Sequence, residues 1–170
     1  EGRESAAASE SEMARKLRKL NRSHINAATL TQQFTFSALT GASYTGDTKL
    51  VYEAAYATAL SLYDTTTRQW KYGSSVSSSL SRRTAAVTFV ATIPSANGGA
   101  TAATQAQLVV AHMVSTPSAY YYSFVAASSN LLASGTVSTV ITAPATSTIT
   151  ASSASATGIS TTAGGSDDDS

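Results

Sequence analysis

At 170 residues and a formal net charge of +1, the chain has the length of one domain with a single core. Charged residues make up 12 %, about half the usual share, and Ser, Thr and Ala fill the gap. The absence of cysteine excludes disulfides and thiolate metal sites, and no apolar run approaches the roughly 20 residues of a membrane-spanning helix.

The charge is strongly segregated. Glu1, Glu4, Glu10 and Glu12 against Arg3 give −3 over residues 1–14, and Arg15, Lys16, Arg18, Lys19 and Arg22 give +5 over residues 15–22. Ser9 and Glu12 have capping-box spacing, and Met13, Leu17 and Leu20 form a narrow stripe at i, i+4 and i+7. Residues 1–30 therefore read as a basic arm, partly disordered or a short helix that orders on a partner. It lacks the apolar core of a secretory signal, and its stripe has no aromatic anchor for a membrane surface.

From Gln33 the texture changes to that of strands. Phe34, Phe36 and Ala38 alternate with polar residues, as do Leu50, Tyr52, Ala54 and Tyr56, and then Leu60 and Leu62. Further runs follow at 67–72, 85–93, 107–114, 119–127, 136–142 and 146–151. Turn signals separate them at Thr40-Gly41, Thr45-Gly46-Asp47, Tyr72-Gly73-Ser74, Asn97-Gly98-Gly99, Thr116-Pro117-Ser118 and Ser134-Gly135. No intervening segment has a convincing helical period. About eight short strands without helices predict an all-β sandwich over residues 31–152, a jelly roll or an immunoglobulin-like fold. Residues 153–170 read as a flexible Ser/Thr/Gly tail ending in Asp167, Asp168 and Asp169.

From Thr84 to Ser166 there is no Asp, Glu, Lys or Arg. A monomeric β-protein normally blunts its edges and outer faces with charge. Ser, Thr, Ala, Asn and Gln can instead be buried in a subunit contact without desolvating a charge. Tyr120, Tyr121 and Tyr122, read as one strand pointing to both faces, add interface area. Glycosylation of a mucin-like 143–166 is the competing reading, but it leaves the basic arm without a role.

Chemistry is sparse. His24 lies in the arm, and His112 sits in AQLVVAHMV as a core or interface histidine. No Ser has a nucleophile-elbow context and no glycine-rich phosphate loop is present, so no enzyme activity is expected. Asp47, Glu53 and Asp64 are the acids available to a structural Ca²⁺, against a simpler reading as solvated turn residues; no other cofactor is expected. Arg68-Gln69-Trp70-Lys71-Tyr72 interleaves cations with aromatics, a mixture that grips phosphates and stacks on bases. Strand alternation would put Arg68, Trp70 and Tyr72 on one face. The simpler reading of Trp70 itself is a core or contact anchor. Arg82 and Arg83 complete the nucleic-acid-binding set with Arg15, Lys16, Arg18, Lys19 and Arg22.

ARKLRKLNR followed by the charge-poor series from Gln33 to Ala151 resembles the coat proteins of small icosahedral RNA viruses of the satellite type. The resemblance spans the whole chain and rests on texture, with no diagnostic motif. It implies an eight-stranded jelly roll with a basic N-terminal arm, a virion location and a closed shell of about sixty copies. It also implies single-stranded genomic RNA packed against the arms without sequence preference. An arm of +5 preceded by −3 is weaker than this family's pattern. The alternative is a secreted or surface adhesive, carbohydrate-binding β-sandwich, with Trp70 and Tyr120–Tyr122 as a sugar platform.

Overall fold

A computed structural model describes residues 27–40 and 43–158. The arm cations Arg15, Lys16, Arg18, Lys19 and Arg22, together with His24 and Asp167–Asp169, lie outside the described residues. The element order is β1 (Ala27–Phe36), α1 (Gly46–Ala59), β2 (Tyr63–Asp64), β3 (Gln69–Trp70), β4 (Ser75–Ser81), β5 (Ala86–Pro94), α2 (Gly99–Ser115), α3 (Ser118–Ala133) and β6 (Ile149–Thr157). Strands β4-β5-β1-β6 form one antiparallel sheet, and β2 and β3 form a separate two-stranded hairpin.

The antiparallel sheet agrees with the strand reading; the all-β, eight-stranded jelly roll does not survive. Helices occupy Gly46–Ala59, Gly99–Ser115 and Ser118–Ala133, where three strands were expected. The reason is a shared spacing. Tyr52 and Tyr56, four apart, satisfy a period of two and a period of 3.6 equally. The alanines around them, Ala54, Ala55, Ala57 and Ala59, are the best helix formers and decide the matter. In α3 the buried residues Tyr120, Phe124, Ala127 and Leu131 step at i, i+4, i+7 and i+11. Its end is a Schellman turn: Gly135 at φ 79° donates to Leu132 O, and Thr136 N–H to Leu131 O. The sheet also runs past the expected domain limits, with β1 starting at Ala27 and β6 reaching Thr157.

All three helices lie on one face of the sheet. Ala28, Leu30, Gln32, Phe34 and Phe36 of β1 point inward, in register with Ile93, Ala91, Phe89 and Val87 of β5. Tyr120 of α3 is fully buried against Phe34 (5.1 Å between ring centroids), Phe36 (5.2 Å) and Phe89 (5.8 Å). It is therefore a core residue and not a surface tyrosine of an interface strand. Burial also raises its hydroxyl pKa well above the usual tyrosine range. Gln32 is the polar centre: its Nε2 donates to Val110 O of α2 (3.1 Å), and its Oε1 accepts from the Tyr56 hydroxyl of α1 (3.1 Å). One amide thus fixes β1 against two helices. At the start of α2, Gly99 lies so close to Pro94 O that a Cβ there would overlap it. Asn97-Gly98-Gly99, a turn signal in the sequence, is thus the loop from β5 into α2.

The opposite face carries no helix among the described residues. Its side chains are Thr29, Thr31, Gln33 and Thr35 of β1, Thr88, Val90 and Thr92 of β5, and the exposed serines Ser75, Ser77, Ser79 and Ser81 of β4. The edges are β4 and β6. Where β1 spends one residue, Gln33, β6 spends two, Ser152 and Ser153, which makes a bulge in that edge.

Candidate nucleic-acid interface

The described cations fall into two groups at opposite ends of the sheet. Arg82 and Arg83 occupy the exposed β4–β5 turn, closed by Ala85 N–H donating to Ser81 O (3.1 Å). Phe36 N–H donates to Ala85 O (3.1 Å), so this turn sits at the C-terminal end of β1. Lys49 belongs to the same end, since α1 runs from beside Phe36, against Tyr52, toward Gln32, against Tyr56.

The root of the arm is at the other end. Ala27 pairs with Pro94 and Thr35 with Ala86, so the arm root and Arg82–Arg83 stand roughly 26 Å apart along β1. Sequence reasoning put Arg82 and Arg83 in one nucleic-acid-binding set with the arm cations, and the antiparallel register places these two at the end of the sheet away from the arm root. A loop residue's place in sequence does not say which end of a sheet it occupies.

The cations at the arm-root end are those of the β2–β3 hairpin. A Cβ on Gly73 would lie 3.7 Å from Pro94 Cγ, and Pro94 pairs with Ala27. Lys71 N–H donates to Leu62 O (2.8 Å), and Ser74 N–H to Lys71 O (2.9 Å), which pins the hairpin base to the end of α1. Arg68, Trp70, Lys71 and Tyr72 are all exposed. Arg68 and Tyr72 have φ of 57° and 59°, so the chain turns at both and the alternation expected of a continuous strand does not hold. Asp64 starts the hairpin loop, its carboxylate accepting from Thr66 N–H (2.9 Å) and Thr67 N–H (3.3 Å). These two bonds hold its carboxyl below the usual carboxylate range.

The three acids proposed for Ca²⁺ are not brought together within one copy. Asp47 accepts from Ser138 N–H (2.8 Å) and Ser138 Oγ–H (2.9 Å), which lower its pKa. Glu53 accepts from Ser78 Oγ–H (2.7 Å), and Ser78 in turn accepts from Tyr44 O–H (2.6 Å). Asp64 lies beyond the far end of α1. Among the described residues no cluster of three His, Cys, Asp or Glu side chains could hold a metal ion.

His112 lies on the exposed side of α2 and not in the core. An open groove of about 340 Å³ runs between α2 and β6, lined mainly by small and apolar side chains such as Leu30, Val110 and Val114. Sequence reasoning missed Gln32 and the Tyr44–Ser78–Glu53 chain. Gln32 was detectable, because alternation places it inward between Leu30 and Phe34. The Tyr44–Ser78–Glu53 chain was not, because it joins a loop, a strand and a helix that are distant in sequence. No protein-family model, curated protein or solved structure matches the chain.

Proposed function

We propose that the protein is a structural subunit that assembles with copies of itself into a closed shell and packages single-stranded RNA, making it a virion component. One observation carries this reading: the open sheet face and both edge strands are free of charge. β4, SVSSSLS, and β6, ITASSASAT, contain no Lys, no acid and no Pro, three of the devices that keep an edge from pairing; β6 has the bulge as another, which leaves β4 as the open edge. Among the described residues nothing pairs with the outer edge of β4.

The helical side is similar. Tyr122, 69 % exposed, lies on the outer side of α3 with Val125 and Leu132, and Leu108 of α2 is 70 % exposed. Uncharged surface on the open sheet face and over α2 and α3 suits burial against further copies, and closed symmetry would make such contacts end in a finite particle. The jelly roll implied by the coat-protein resemblance is not part of the proposal. The arm supplies phosphate-neutralising charge, multiplied by the number of copies.

The adhesive, carbohydrate-binding alternative has less support. Tyr120 is in the core, and Tyr121 and Tyr122 sit on a helix while Trp70 sits on the hairpin, so the four aromatics do not form one strand surface. Electron microscopy of the expressed full chain, with nuclease protection of co-purified RNA, tests the proposal. Uniform particles with protected RNA support it; dispersed small species with no RNA sink it.

A further inference from the structure

We infer that the β2–β3 hairpin is a stacking platform for single-stranded RNA, placed where the arm enters the sheet. The inference rests on the RNA-packaging reading and adds a second, aromatic contact to it.

Trp70 is 38 % exposed and Tyr72 37 % exposed, and two exposed cations, Arg68 and Lys71, lie within the same five residues. The Trp70 ring is braced by a buried neighbour, and the Tyr72 ring lies beside Gly98. The buried Tyr63 meets the Trp70 ring at 5.2 Å and 66°, and the Tyr72 ring lies 3.6 Å from the position of a Cβ on Gly98. A ring braced in this way loses little freedom when a base stacks on it. Stacking is tolerant of sequence because every base has a π-face, and flanking cations track the phosphates. Asp64 is the one acid of the hairpin, and its carboxylate is already engaged by Thr66 N–H and Thr67 N–H.

The position adds a second line of support. A Cβ on Gly73 would lie 3.7 Å from Pro94 Cγ, and Pro94 pairs with Ala27, the first residue of β1. The hairpin therefore stands at the end of the sheet where the chain enters β1. Arg82 and Arg83, at the far end of β1, do not share this surface.

Trp70 is the only tryptophan of the chain, so its fluorescence reports on this site alone. The full chain is titrated with a 5′-fluorophore-labelled oligouridine of about twelve nucleotides, within the range of single-strand site sizes; label anisotropy gives the affinity of every variant, and Trp70 quenching reports the site in the parent. Saturable quenching is expected. Trp70→Ala should weaken binding about tenfold, the loss of one stacked base, while Trp70→Phe retains most of the affinity. Arg68→Ala with Lys71→Ala should lower the salt slope by about 1.4, two single-strand phosphate contacts. Melting curves of each variant establish that it is folded.

If Trp70→Ala binds like the parent and no quenching occurs, while Ala substitution of the five arm cations abolishes binding, the platform is refuted and packaging stands. If the parent binds no RNA, both readings fall. Quenching by oligosaccharides and not by RNA would overturn the platform in favour of a glycan site.

Discussion

Lysine placed on the open sheet face should abolish assembly while leaving the subunit folded. Ser77 and Ser79 are exposed on the outward side of β4, opposite Val90 and Thr88 of β5. The four strands are seven to ten residues long. At ordinary strand spacing and rise the face measures about 19 Å by 29 Å. Two such faces would enclose about 1,100 Å², just above the roughly 1,000 Å² that a specific contact needs. An ammonium group enclosed there without a partner costs about 3–5 kcal/mol. Allowing for side chains that reach the rim, a loss of about 3 kcal/mol per contact is two decades in association constant. On the isolated subunit exposed substitutions of this kind stay within about 0.5 kcal/mol. Sedimentation velocity of parent and Ser77→Lys/Ser79→Lys protein, with a thermal melt of each, separates the two effects. A variant that melts like the parent and sediments as a small species supports the account. One that still forms particles of parental size at the same concentration refutes the role of this face.

Three further outcomes follow from the fold. Gln32→Leu orphans the Tyr56 hydroxyl and should cost about 2 kcal/mol, and Tyr56→Phe about 1 kcal/mol; the double variant should cost less than the sum, by about 1 kcal/mol, in a urea-unfolding cycle. Gly99→Ala forces a methyl group into Pro94 O and should cost at least about 3 kcal/mol or prevent folding, read by urea unfolding and circular dichroism. Burial lifts the Tyr52 pKa to about 12 and that of Tyr56 higher still, so an unfolded chain releases these protons first as pH rises. Stability should thus be full below pH 10 and fall between about 10 and 12, by up to about 1.4 kcal/mol per pH unit for each such tyrosine. Melting temperatures that stay flat across that window would contradict the buried tyrosine core.

Strands with mixed apolar and β-branched content were legible in the sequence. Phe34 and Phe36 marked β1, and the run 85–93 matches β5, Ala86–Pro94, to within a residue. β4 was illegible because SVSSSLS has two apolar residues, Val76 and Leu80, and is a strand only through its ladder to β5. The helices were misread where aromatic or β-branched residues outweighed alanine in the eye. VVAHMV in α2 and AYYYSFV in α3 have strand composition, yet Val110 and Met113, like Tyr120 and Phe124, keep a helical step. Of the nucleic-acid set, the arm cations lie outside the described residues, and Arg82 and Arg83 are exposed but remote from the arm root. Arg68, Trp70, Lys71 and Tyr72, noticed in the sequence for their mixture of charge and ring, are the group that the fold brings to that root. Sheet register decides this, and register is a tertiary property that local composition does not encode.

The central claim is that this chain is built to be surrounded by copies of itself around RNA. The most direct measurement is the molar mass of the purified full chain at physiological salt, by light scattering on a sizing column, with the ultraviolet absorbance of each peak read for nucleic acid. The account predicts a narrow peak of many-subunit mass that carries nucleic acid. A peak of monomer mass free of nucleic acid would contradict it.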